Sequence, residues 1–242
     1  MAKKFLEFEG NRFEIAYEMI DHQMDRWIVF LHGWGSNKGL MKQAFGHCFE
    51  GFNHLYIDLP GFGQSQNHIA LKTTQYAQIL KIFFESLQID PLENMIVGHS
   101  FGGKVAALLA PKELVLLSSA GIIEPKPLKI KAKIYLAKFV KKIGFSYKGL
   151  RSKDANGLNE GMYQTFKNVV DEDFSSIFAS LPSKTYIFWG TQDRATSLVS
   201  GEKIASLIHL SHFLAFEGDH YFFLKYAKEI DDQIQRWRKS VE

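Results

Sequence analysis

Six apolar runs, each closed by glycine or a small polar residue, punctuate this chain and constrain its fold more than any other feature. They are "RWIVFLHGWG", "FNHLYIDLPGFG", "NMIVGHS", "ELVLLSSAG", "KTYIFWG" and "HFLAFEG". A strand with one wet face alternates apolar and polar residues, whereas a continuous apolar run is a strand covered on both sides. Between the runs lie stretches of helical periodicity, near 38–49, 73–87, 101–110, 197–208 and 221–239. Strand and helix alternating over short connections predict a mostly parallel sheet with helices on both faces. Functional residues of such sheets sit beyond the carboxyl ends of the strands. Upstream, "KKFLEFEGNRFEIAYEMI" reads as two strands turning at Gly10-Asn11.

The alternation breaks once. Residues 122–180 contain no convincing strand, and Leu128, Ala132, Tyr135, Leu136, Phe139 and Ile143 recur at helical spacing. This predicts a core of residues 1–121 and 181–242 with a helical cap, 122–180, inserted between two strands. Ten basic residues and no acidic one lie between Lys126 and Lys153, leaving 19 of the 29 cations to face all 26 anions in the rest of the chain. The separation reads as a solvated helix face, or as a docking face for an acidic partner or an anionic membrane surface. The acidic remainder and the lack of a recognition motif argue against nucleic acid. A single cysteine, Cys48, excludes an internal disulfide and fits a reducing compartment. With no apolar stretch behind the first lysines and no run of membrane-spanning length, a cytoplasmic protein is expected.

In "VGHSFGG", Ser100 stands where a strand turns directly into a helix, with Gly98 and Gly102 two residues to either side. Read alone, the serine is either a helix cap or a nucleophile displayed on a strained corner, with glycines where side chains would collide with that corner residue. The surrounding motifs weigh toward the second. "FLHGWGSN", "DLPGFGQS", "VGHSFGG", "WGTQDRAT" and "EGDHYFF" occur in the order and spacing of the α/β-hydrolase serine enzymes, which this chain resembles over nearly its full length. The resemblance implies Ser100 as nucleophile, His220 as base, Asp193 as the acid orienting it, and the N–H groups of Trp34 and Phe101 as oxyanion donors. It gives His32 and Gly33 to the loop that carries Trp34, and implies neither cofactor nor metal. Asp219 and Glu124 are alternative acids. His99 reads as packing within the turn, and Asp58 as ordering the turn at Pro60-Gly61.

Serine at the corner argues against dehalogenases and epoxide hydrolases of this fold, which use aspartate there. The resemblance extends to meta-cleavage-product hydrolases, which break a carbon–carbon bond in 2-hydroxy-6-oxo-dienoates. That subgroup usually has asparagine before the serine and tryptophan soon after the histidine, where this chain has His99 and Tyr221-Phe222-Phe223. The expectation is therefore a carboxylesterase or thioesterase acting on a small-molecule ester, with an ester of acyl carrier protein as the specific form suggested by the lysines. A hydrolase fold retained as a silent binding module is the non-enzyme alternative. Tyr135, Phe139, Tyr163 and Phe166 are candidates for lining the acyl pocket or filling the cap.

Overall fold

The computed structural model describes residues 1–123 and 158–239. Its centre is an eight-stranded sheet: β1 (Ala2–Phe8), β2 (Asn11–Ile20), β3 (Trp27–Leu31), β4 (Asn53–Ile57), β5 (Met95–His99), β6 (Glu113–Leu117), β7 (Lys184–Gly190) and β8 (Ser211–Phe216). The strands lie in the order β1-β2-β4-β3-β5-β6-β7-β8. β1 and β2 form an antiparallel hairpin joined antiparallel to β4, and every pair from β4 to β8 is parallel.

Each apolar run feeds two cores, because successive residues of a strand face opposite sides of a sheet. On one side Val29, Leu31, Ile96, Leu114, Leu116, Ile187 and Trp189 pack under α2 (Thr73–Ser86) and α3 (Phe101–Leu109). The same side receives α4 (Glu160–Val169), α5 (Ser175–Ala179) and α6 (Leu198–Leu207). On the other, Ile28, Phe30, Val97, Val115, Leu117, Tyr186 and Phe188 pack against α1 (Lys38–Phe45) and α7 (Phe223–Lys239). Burial of both sets explains why these strands carry no polar alternation. β8 closes the sheet, and its residues are only partly buried.

The helix ends depart from expectation for local reasons. α1 stops at Phe45, not 49: Gly46 caps it with its N–H on the Lys42 carbonyl at 2.9 Å, and by Phe49 the chain has left helical geometry, with φ 55° and its N–H on the Asp231 carboxylate at 2.9 Å. α7 begins at Phe223, after residues Asp219–Phe222 have formed a turn. Most of the expected cap, residues 124–157, lies outside the described residues, as do Glu124, Tyr135 and Phe139. Of its remainder, α4 is capped by Asn159, whose Oδ1 accepts the Met162 N–H at 2.8 Å. Its residues Met162, Thr165 and Val169 are buried. Among the described residues no helix is long and apolar enough to cross a membrane.

Candidate active site

The residues singled out in sequence gather at the carboxyl ends of β3, β5, β7 and β8. Ser100 follows β5 with φ 51° and ψ −113°, a backbone conformation sparsely populated by non-glycine residues. It is held there from three directions. Its N–H donates to the Leu117 carbonyl at 3.0 Å, and its carbonyl accepts from Gly103 at 3.0 Å and Ala120 at 3.1 Å. Ser100 precedes α3 without a side-chain capping bond. The flanking glycines are required, but the collisions differ from those expected. A Cβ on Gly98 would lie 2.5 Å from the Gly102 carbonyl oxygen, and one on Gly102 would lie 2.4 Å from that of Leu31. The close approach is thus between the corner's own backbone and β3, not with the serine.

Asp193 follows β7, with its side chain fully shielded from solvent. Its Oδ1 accepts the N–H groups of Ala195 at 2.7 Å and Thr196 at 3.0 Å. Its Oδ2 accepts the Thr196 hydroxyl at 2.9 Å and faces His220 Nδ1 at 2.7 Å. Burial alone would raise its pKa, but the His220 hydrogen bond and charge, with the Thr196 N–H, outweigh it and hold the carboxyl down at about 2. The ionised oxygen fixes His220 with the proton on Nδ1. The neighbouring carboxylate, Asp219, has a different partner. It is exposed, and its Oδ1 accepts the Tyr221 N–H at 2.8 Å.

Trp34 lies between Gly33 and Gly35 in the loop after β3, its ring edge-on to Phe62 at 4.9 Å and Phe101 at 5.6 Å. Phe101 opens α3, so its N–H belongs to the first helical turn, where no carbonyl four residues back can accept it. His32 is fully buried, with Nδ1 2.8 Å from the Gly33 carbonyl and Nε2 accepting the Leu59 N–H at 3.1 Å. A carbonyl on one side and an N–H on the other select one neutral tautomer, and burial holds its pKa down to about 4. Asp58 does more than order its turn. Its buried carboxylate accepts the Lys38 ammonium and N–H, both at 2.7 Å, and the Gln64 N–H at 2.9 Å. It therefore ties the loops after β3 and β4 together.

Ser100 and His220 open onto one cavity of about 390 Å³, lined also by Trp34, Phe101, Phe166 and Val169. Phe166 reaches it from α4, its ring 5.3 Å from Trp34. Tyr163 instead carries the Lys167 ammonium 4.8 Å above its ring. Sequence reasoning missed Lys104, which borders the same cavity. This buried ammonium donates to the Val169 carbonyl at 2.5 Å and Glu172 Oε2 at 2.7 Å, so α3 holds the carboxyl end of α4.

The sequence profile of the alpha/beta hydrolase fold family matches residues 26–147, half of the chain. The chain belongs to the α/β hydrolase fold family. It is 35% identical over 89 residues to a 2-succinyl-6-hydroxy-2,4-cyclohexadiene-1-carboxylate synthase of Citrobacter koseri, which is 36% of this chain and 34% of that protein. It is also 35% identical over 99 residues to a pimeloyl-(acyl-carrier protein) methyl ester esterase of Pseudoalteromonas atlantica, 38% of this chain and 37% of that one. The match thus spans about a third of the length of these curated relatives. An esterase from Exiguobacterium antarcticum superposes over 98% of this chain and all of its own, with a TM-score of 0.76 at 19% identity, a likeness of fold.

Proposed function

We propose that this protein is a serine hydrolase that cleaves carboxylic esters or thioesters through an acyl-enzyme. The observation that carries the reading is the 2.7 Å pairing of His220 with a shielded, ionised Asp193, at a cavity shared with a serine on a strained strand-to-helix corner. With Nδ1 protonated, Nε2 is the free base that can take the Ser100 proton as Oγ attacks the carbonyl carbon. The N–H groups of Trp34 and Phe101 stabilise the developing oxyanion, each worth about 10²–10³ in rate. His220 then returns the proton to the leaving alcohol or thiol, and water repeats the sequence on the acyl-enzyme. The chemistry needs no metal or cofactor. Labelling with a fluorophosphonate tests it: wild type should be modified and Ser100→Ala should not. No labelling of wild type, or equal labelling of both, overturns the reading.

The more specific form is an ester carried on acyl carrier protein. It is supported by the name of the Pseudoalteromonas relative and by the uninterrupted cations between Lys126 and Lys153, which lie outside the described residues. Charge reversal at Lys133, Lys138, Lys141 and Lys142 should slow turnover of a carrier-tethered ester and spare the free methyl ester. Equal turnover of the tethered ester removes the carrier from the reading.

A further inference from the structure

His99 is the last residue of β5, immediately before Ser100, and is 1% exposed. Its Nε2 lies 3.0 Å from the main-chain carbonyl oxygen of His220. A carbonyl can only accept, so Nε2 carries the proton and Nδ1 is bare. Burial, then the neighbouring His220 charge, keeps the ring neutral by drawing its pKa down to about 3. The ring centroid lies 4.6 Å from that of His220, 4.8 Å from Phe223 and 5.3 Å from Tyr221. On its other side the ring meets the loop after β3: a Cβ on Gly33 would come within 2.8 Å of Nδ1 and 3.1 Å of Ser100 Cβ.

One buried imidazole therefore touches all three segments that must be in register: the corner bearing Ser100, the loop bearing Trp34 and the loop bearing His220. The Asp193 bond fixes how the His220 ring is turned, but a bond to the end of a side chain leaves the height of its backbone free. We propose that His99 is a positioning residue that sets that height, holding the His220 main chain through its Nε2–H and seating the Gly33 backbone against its bare edge. The inference rests on the serine-hydrolase reading. It demands a donor at the Nε2 position, which glutamine supplies, and not merely a ring.

The experiment compares His99→Phe, which keeps a ring and removes the donor, with His99→Gln, which keeps the donor. For each, kcat and KM on a p-nitrophenyl ester, the fluorophosphonate labelling rate and Tm are measured. A displaced base costs on the order of 10²-fold in rate. His99→Phe should therefore lose about 10- to 100-fold in kcat with KM unchanged, and label more slowly by the same factor. His99→Gln should keep about a third or more of both. Should His99→Phe fail to fold, His99→Asn replaces it, because its amide reaches only the Nδ1 position. Loss of Tm without loss of kcat, or His99→Gln as slow as the donorless variant, overturns the proposal. Unlabelled wild type overturns the hydrolase reading beneath it, whereas wild type and His99→Phe labelled at equal rates overturn the role of His99 alone.

Discussion

Replacing Asp193 with asparagine is almost isosteric, yet the hydrogen-bond pattern fixes how the new amide must lie. Oδ1 receives two main-chain N–H groups, from Ala195 and Thr196, and only an oxygen can satisfy them. The amide nitrogen is thereby forced into the Oδ2 position, 2.7 Å from His220 Nδ1. There it donates, so Nδ1 must become an acceptor and the ring proton moves to Nε2, the atom that should receive the serine proton. The base is occupied and the imidazolium has lost its counter-charge. Wrong-tautomer substitutions of this kind lower kcat about 10⁴-fold, or roughly 5.5 kcal/mol of transition-state stabilisation. The expected result is a kcat about four decades below wild type on a p-nitrophenyl ester, with KM little changed. Fluorophosphonate labelling should slow in proportion, and a near-native circular dichroism spectrum should show the fold retained. Asp193→Asn keeping more than a tenth of wild-type kcat would refute both the forced orientation and the assignment of Asp193.

Acid should unfold the protein in two stages. His32 and His99 are held near pKa 4 and 3 against an ordinary 6.5, so the unfolded chain binds their protons first as pH falls. Stability is then full above pH 6.5 and declines below it by up to about 2.7 kcal/mol per pH unit for two protons. Asp193, held at about 2 against 3.8, adds a second loss below pH 3.8. Urea denaturation from pH 7 to 4 measures the first stage, and a flat profile contradicts the burial of two neutral imidazoles. At the Lys104–Glu172 pair, Glu172→Ala strands an ammonium that is 3% exposed and should cost on the order of 2 kcal/mol, below the range for a fully buried pair because Glu172 is a quarter exposed. Lys104→Met leaves no buried charge and should cost less, so the reverse ranking in Tm would overturn this account.

Much of the architecture was legible because it depends on short-range pattern. The runs around Val29, Ile96 and Ile187 are apolar at every position since alternate residues feed different cores, and the Gly98–Ser100–Gly102 spacing marks a corner whose backbone leaves no room for Cβ atoms. Asp193 and His220 were legible as loop residues after late strands. What escaped notice were contacts between residues far apart in the chain. Lys104 meets Glu172 across 68 positions and His99 meets His220 across 121, and neither has a local signature. Lys38, at the first position of α1, is likewise buried on Asp58, 20 positions away. Helix ends were blurred for the same reason, since beyond the end of α1 at Phe45 the chain is drawn off by Asp231, which accepts the Phe49 N–H across 182 positions.

The Lys104 tether also bears on how the cavity measures what enters it. Lys104 lies one helical turn beyond Phe101 on the helix that follows Ser100, and its ammonium grips the far end of α4, which presents Phe166 and Val169 to the cavity. For this wall to retreat, the ammonium must release both a carbonyl and a carboxylate in a nearly dry setting. Floor and wall consequently move as one piece with Ser100. On this side the tether sets the distance from Ser100 to α4, and with it the depth open to a guest.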